Sequence, residues 1–222
     1  MGKVFLILTT VIVLVVAVAA AAVLIPLNTG KAAGVVFQQA DQDSFAEKSG
    51  LTINDANRAS LLDLFTDNYV IGNMVAVNAT FTSAEFTAYL NCYFAPTLGM
   101  ENLQVKFDGN NRIVLSCKAT EEAASLFGDA PELESIKNYL WLAKGKTLRI
   151  EETVTSTDGI ITTKLDKVYV GQIDITGFVP DGTLPIGTAL NILFNVESSA
   201  GFSLNKDSLS LNCTMPDVIT KK

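Results

Sequence analysis

The stretch Leu103–Ala119, LQVKFDGNNRIVLSCKA, contains two runs with an apolar residue at every second position. These residues lie at positions 103, 105 and 107 in the first run and at 113, 115 and 117 in the second. An apolar residue at every second position predicts a strand with one buried face. Between the runs lies Asp108-Gly109-Asn110-Asn111, whose residue types tolerate the positive φ of a tight turn. The stretch therefore predicts an antiparallel hairpin, which sets the class of the fold.

Further strand patterns lie on both sides of this hairpin. A second hairpin is predicted from Leu148–Thr155 and Ile160–Val170, with Thr157-Asp158-Gly159 as its turn. Residues Ile173–Ile175 extend it past a bend at Gly171. The remaining two predicted strands are Met74–Thr80 and Leu209–Met215.

Two helices with wide apolar faces are predicted. Thr82 followed by Glu85 has the pattern of a capping box, which starts the first helix. Its apolar face consists of Phe86, Tyr89, Leu90, Tyr93 and Phe94. The second helix follows Pro185, and its face consists of Ile186, Leu190, Leu193 and Phe194. Additional helices are predicted over residues 52–66 and 131–144.

The run Val4–Leu27, VFLILTTVIVLVVAVAAAAVLIPL, contains no charged residue. As a helix it is a little over ~30 Å long, which matches the hydrocarbon core of a bilayer. A signal peptide is the alternative, because Met1-Gly2-Lys3 is a basic start and Ala17–Ala22 supplies small residues for cleavage. The run is longer than an ordinary signal peptide core, which favours a single uncleaved span with the C-terminal domain outside the cytoplasm.

These elements predict an α+β fold: an N-terminal transmembrane helix followed by a curved antiparallel sheet with helices packed on one side. We divide the chain into an anchor at 4–27, a linker at 28–50 rich in Gly, Ala, Gln, Asp and Ser, and an extracytoplasmic domain at 51–222. The net charge of −7 argues against a nucleic-acid partner.

The composition excludes several kinds of catalytic and metal site. The chain has no histidine, which rules out Ser-His-Asp catalysis, Cys-His catalysis and any His-ligated metal. It also has no Gly-rich phosphate loop and no Cys-x-x-Cys pair. We therefore predict no catalytic residue, no metal ligand and no cofactor.

Catalysis by acidic residues or by a cysteine remains as a less favoured possibility. The pairs Glu121/Glu122 and Glu151/Glu152 are expected on a solvated surface, and adjacent strand residues point to opposite faces. Cys92 is the best candidate for an exposed thiol. Cys117 and Cys213 share the apolar faces of their strands, so we expect buried free thiols, with a disulfide between them as the alternative.

The two apolar helix faces suggest a ligand site. If the sheet does not cover both helices completely, an apolar groove remains between them, of the kind that holds an acyl chain. The alternative is that the same nine side chains simply form the core, because apolar helix stripes are usually core.

The order of these elements carries a family resemblance. The segments Phe81–Asn91, FTSAEFTAYLN, and Leu165–Ile175, LDKVYVGQIDI, resemble the YpmS-type anchored extracytoplasmic bacterial proteins, which in turn are similar to the tubular lipid-binding superfamily. The resemblance spans residues 74–216 and departs from the family pattern at 120–146. It implies a lipid- or amphiphile-binding module at the cell envelope, without a cofactor.

The sequence is compatible with three functions. The first is a membrane-held module that binds a lipid or other amphiphile between the two apolar helices. The second is a module that docks an envelope protein or wall polymer by its surface, for which we expect a filled core and an exposed apolar patch. The third is an enzyme that uses carboxylates or Cys92, for which we expect acids that converge in a cleft.

Overall fold

The computed structural model of the 222-residue chain describes residues 30–51, 59, 63, 68–93, 100–120, 145–179, 186–196 and 201–222. The predicted anchor at 4–27 and the predicted helix at 131–144 lie outside the described residues. So does the predicted helix at 52–66, apart from Ala59 and Asp63.

Five strands form one antiparallel sheet in the order β3-β4-β5-β6-β7. They are β3 (Met100–Phe107), β4 (Arg112–Ala119), β5 (Thr147–Thr157), β6 (Ile160–Val170) and β7 (Ile173–Asp174). Gly109, Asn110 and Asn111 adopt φ angles of 75°, 52° and 58° between β3 and β4, and Asp158 and Gly159 adopt positive φ between β5 and β6. Both predicted hairpins are confirmed, with turns at the residues that tolerate this conformation.

The remaining strands form a second sheet and a short ribbon. The second sheet has the order β2-β9-β8, made of β2 (Met74–Thr82), β9 (Ser208–Pro216) and β8 (Phe202–Asn205). β2 and β9 pair antiparallel along their full length, from Met74 opposite Pro216 to Thr82 opposite Ser208. The ribbon consists of β1 (Tyr69–Ile71) paired with β10 (Ile219–Lys221).

Three α-helices are described: α1 (Gln39–Ser49), α2 (Ser83–Tyr93) and α3 (Ile186–Leu193). A 3₁₀ turn at Thr176–Phe178 precedes α3. α3 covers an edge of the five-stranded sheet, because the Asn191 amide accepts a hydrogen bond from the Ile161 N–H at 2.8 Å and donates one to the Ile161 carbonyl at 2.7 Å. A side-chain amide thus replaces a neighbouring strand at this position of β6.

The predicted α+β fold, with helices on one side of one antiparallel sheet, is wrong. About half of the described residues are in strands and about a quarter are helical, and the strands belong to two sheets and a ribbon. The physical reason is that β2 pairs with β9, more than 120 residues away, and not with the strands that follow it in sequence. Among the described residues, no helix combines the length and the apolar character needed to cross a membrane.

One hydrophobic core joins the two sheets and the helices. Buried side chains of β2, β3, β5, β6 and β9 belong to the same cluster as those of all three helices. The sheets meet where Asp108 bridges Lys206 and the Asp207 N–H donates to the Phe107 carbonyl at 2.8 Å. Phe45 of α1 is fully buried in this core, so the packed fold begins inside the segment that we expected to be a linker.

Candidate functional site

The capping box of α2 also ties α1 to the fold. The Thr82 N–H donates to Glu85 Oε2 at 2.7 Å, and the Glu85 N–H donates to Thr82 Oγ1 at 3.1 Å, as the sequence predicts. From α1, Lys48 Nζ lies 2.6 Å from Glu85 Oε1, which also accepts a hydrogen bond from Ser44. Burial by itself would raise the pKa of Glu85, but these hydrogen bonds and the Lys48 charge hold it below its ordinary value. Glu85 is therefore a charged side chain that joins α1 to the first turn of α2.

The structure brings the predicted groove residues together inside the core. The buried members are Phe86, Tyr89, Leu190, Leu193 and Phe194, and Leu90 is half-buried. The side chains of Tyr93, Phe94 and Ile186 lie outside the described part of the structure. The two helix faces touch directly, since the ring centroids of Phe86 and Phe194 are 5.9 Å apart.

Aromatic side chains from other elements occupy the space beside these helix faces. The ring of Phe45 from α1 stacks on Tyr89 with a centroid distance of 4.3 Å and an interplanar angle of 9°. Phe107 from β3 meets Phe86 edge to face at 5.6 Å. Such contacts are the ordinary geometry of a packed aromatic core. The described part of the predicted groove is therefore lined by side chains that contact one another.

A buried carboxylate, which the sequence predicts to be solvated, lies on the inner face of the five-stranded sheet. The prediction that Glu152 is exposed is wrong, because Glu152 is only 2% exposed. It sits on β5 between the core residues Ile150 and Val154, at a register shift between β5 and β6. The signal was present in the sequence, since Glu152 has the same strand parity as these two apolar residues.

The surroundings of Glu152 favour its neutral form. Burial is the largest cause and raises its pKa, the Thr163 hydroxyl lowers it and the negative charge of Asp166 raises it, so that the resulting pKa is about 7. Glu152 Oε2 has no hydrogen-bond partner in the described part of the chain. Glu151, on the opposite face, pairs instead with Arg149 at 2.9 Å, so the two carboxylates do not converge on one site. Glu121 and Glu122 lie outside the described residues.

The described cysteines are in the reduced form. Cys117 and Cys213 are buried on β4 and β9, which belong to different sheets, and no disulfide joins the three cysteines. Burial raises the pKa of Cys117 to about 12 and that of Cys213 to about 11, which suppresses their reactive thiolate forms. Cys92 is half-buried, and its sulfur accepts a hydrogen bond from the Gln42 amide at 3.1 Å. Within the described ranges, no cluster of three or more Cys, Asp or Glu side chains could hold a metal ion.

Thiol labelling checks this description of the cysteines. We expect a maleimide to modify Cys92 of the native full-length chain first, and Cys117 and Cys213 only after unfolding in urea. Peptide mass spectrometry after timed labelling gives the three rates. Equal labelling of all three thiols in the native protein would contradict the burial of Cys117 and Cys213.

Three exposed apolar residues lie close together in the sequence where β1 continues into β2. Val70, Ile71 and Met74 are 50%, 39% and 43% exposed, and we call these three residues the β1–β2 patch. The surrounding sequence, YVIGNMVAVNATFT at 69–82, contains no charged residue and no proline. Clusters of exposed large apolar residues are typical of interaction surfaces.

Comparison with known proteins finds no matching family model, no matching curated protein and no matching solved structure. The resemblance to the YpmS-type proteins therefore stays a prediction from the sequence.

Proposed function

We propose that residues 30–222 form a non-catalytic interaction module of the cell envelope, which binds a partner through its surface. The observation that supports this proposal most is the contact between the two predicted apolar faces, in which the ring of Phe86 of α2 meets that of Phe194, the residue directly after α3. Side chains that fill a core are not free to line a ligand groove. The lipid-binding function, which we ranked first from the sequence, is therefore placed second to surface binding.

The β1–β2 patch is the surface that we assign to the partner. It exposes three large apolar side chains in a stretch without charges, whereas the exposed positions of β5 and β6 are threonines and lysines apart from the single residue Ile160 at the turn. Desolvating uncharged apolar side chains favours association, and removing charges from water opposes it. The location at the envelope rests on the uncharged segment 4–27 and stays part of the proposal.

Photo-crosslinking of the full-length chain in its own cells tests this assignment. We expect a photoreactive amino acid in place of Ile71 to give a discrete adduct with a second macromolecule. The same amino acid in place of Thr155, an exposed residue in the middle of the chain, serves as the matched control and is expected to give none. Mass spectrometry of the adduct identifies the partner class.

Two results would contradict the proposal. One is the absence of any adduct specific to position 71. The other is a lipid adduct that forms equally at both positions, which would indicate general membrane proximity without a docking surface.

A further inference from the structure

The outer edge of β2 presents backbone groups that its own sheet does not use. In an antiparallel pair, alternate residues direct their N–H and C=O groups toward the neighbouring strand and away from it. Among the described strands, β2 lies at the edge of its sheet, with β9 on one side only. The hydrogen bonds of the facing residues on β9, and those on the outer side of β2, therefore show which way the N–H and C=O groups of each β2 residue point.

Three observations show that the even-numbered residues of β2 point away from β9. Ala76 lies opposite Thr214, whose N–H and C=O both bond Asn195 and so face away from β2. Met74 lies opposite Pro216, which has no N–H to share. The Thr80 carbonyl accepts a hydrogen bond from Lys48 on the outer side, at 2.9 Å. The N–H and C=O groups of Val75 and Val77 consequently point toward β9 and form the hydrogen bonds with it.

Met74, Ala76 and Asn78 are thus left with outward N–H and C=O groups. None of these groups has a hydrogen-bond partner within the described chain, and all three side chains are exposed. Proteins usually protect such an edge with charged residues, proline or a bulge. Residues 69–82 contain no charged residue and no proline, and β2 pairs with β9 without a register shift. Lys48 of α1 occupies this edge at Thr80, whereas Met74, Ala76 and Asn78 have no such protection among the described residues.

We propose that the outer edge of β2 pairs antiparallel with the same edge of a second copy of this chain, about a twofold axis at Ala76. This inference rests on the proposed function and names its partner. Ala76 then faces Ala76 of the partner subunit, and Met74 faces Asn78 of the partner subunit. The result is one six-stranded sheet across two copies.

The register follows from the residues that remain available. With a twofold axis at Ala76, both residues of every facing pair direct their N–H and C=O groups toward the other subunit. Each pair therefore exchanges two hydrogen bonds. A shift toward Thr80 would use a carbonyl that Lys48 already occupies. A twofold interface places a surface against itself, which requires a patch without like charges opposite one another. The uncharged sequence of this edge meets that requirement, and the small Ala76 side chain allows close approach at the axis.

Sedimentation velocity of the full-length chain in a mild non-ionic detergent tests the pairing. We expect a dimer that dissociates on dilution. Ala76→Lys places two positive charges directly opposite each other and is expected to raise the dimer dissociation constant at least tenfold. Ala76→Pro removes the outward N–H without removing a bond to β9, and the same increase is expected. Ser203→Lys, on the other edge strand β8, is the matched control and is expected to leave the constant unchanged.

Amide exchange gives a second measurement that does not depend on any variant. Dimer formation on concentrating the wild-type chain is expected to slow exchange of the Met74, Ala76 and Asn78 amides and to leave Val75 and Val77 unchanged. A wild-type chain that stays monomeric at all concentrations overturns the inference, as does an Ala76→Lys variant that dimerises like the wild type. A monomer that still crosslinks another protein at position 71 overturns the dimer alone and leaves the proposed function standing.

Discussion

Replacing Phe194 by alanine is expected to lower the free energy of unfolding by about 3–5 kcal/mol, the range for truncating a buried aromatic side chain. Phe194 is 1% exposed and contacts the ring of Phe86, so its removal takes away the direct contact between the two helix faces. The loss has two parts: the transfer of the ring from the core to water, and the cavity that remains because the surrounding side chains relax only partly.

Urea denaturation of the full-length chain, followed by far-UV circular dichroism, measures this loss. Val36→Ala is the control, because Val36 is 83% exposed and truncating an exposed side chain is expected to cost about 0.5 kcal/mol or less. Equal stabilities of the Phe194→Ala variant and the wild type would show that Phe194 lines an open space, as the lipid-groove hypothesis requires.

Raising the pH from 5 to 8 is expected to destabilise the protein through Glu152. Its pKa is about 7 in the folded state against 4.5 for an unperturbed glutamate, because burial penalises the charged form. Between these values the unfolded chain releases a proton that the folded chain retains, so stability falls as the pH rises and levels off above about 7. The difference corresponds to roughly 3 kcal/mol.

The Glu152→Gln variant isolates this contribution, because glutamine has the shape of the protonated side chain and does not titrate. We expect its stability to be nearly constant across this pH window. The other perturbed carboxylates of the described residues do not interfere, since the pKa of Glu85 and that of Asp108 are lowered and the pKa of Asp174 is about 2. Their contributions are lost only at lower pH. A wild-type stability that rises or stays level from pH 5 to 8 would contradict the burial of Glu152.

Local elements of the fold could be predicted where the sequence contains its own signal. Asp108-Gly109 between alternating runs specifies a hairpin, and Thr82 with Glu85 specifies where α2 begins. Both signals lie within a few residues, so no distant partner is needed to interpret them. The structure places both elements as the sequence predicts.

The pairing of β2 with β9 could not be predicted in the same way. It joins residues more than 120 positions apart, and the sequence pattern of neither strand identifies the other as its partner. α1 was missed because Phe45 is its one bulky apolar residue among Gln, Asp, Ser, Ala, Glu and Lys, a composition that is also typical of a linker. The short strands β1, β8 and β10 have only three or four residues each, too few to show a pattern.

In the candidate site, too, the local sequence predicts some features, and others depend on distant parts of the chain. The sequence correctly groups Phe86, Tyr89, Leu190, Leu193 and Phe194 as residues that lie near one another. Whether such a group encloses a ligand or packs on itself depends on what the rest of the chain contributes. Phe45 and Phe107 supply the side chains beside it, and their positions depend on tertiary packing.

Native mass spectrometry of the full-length chain, extracted from a membrane-containing host in mild detergent, distinguishes a filled core from a groove that holds a lipid. A filled core with a surface for partners predicts the mass of the polypeptide alone or of its dimer, and no uptake of added fatty acid or phospholipid. One amphiphile per chain that remains bound through purification would contradict the account and would place the lipid between α2 and α3.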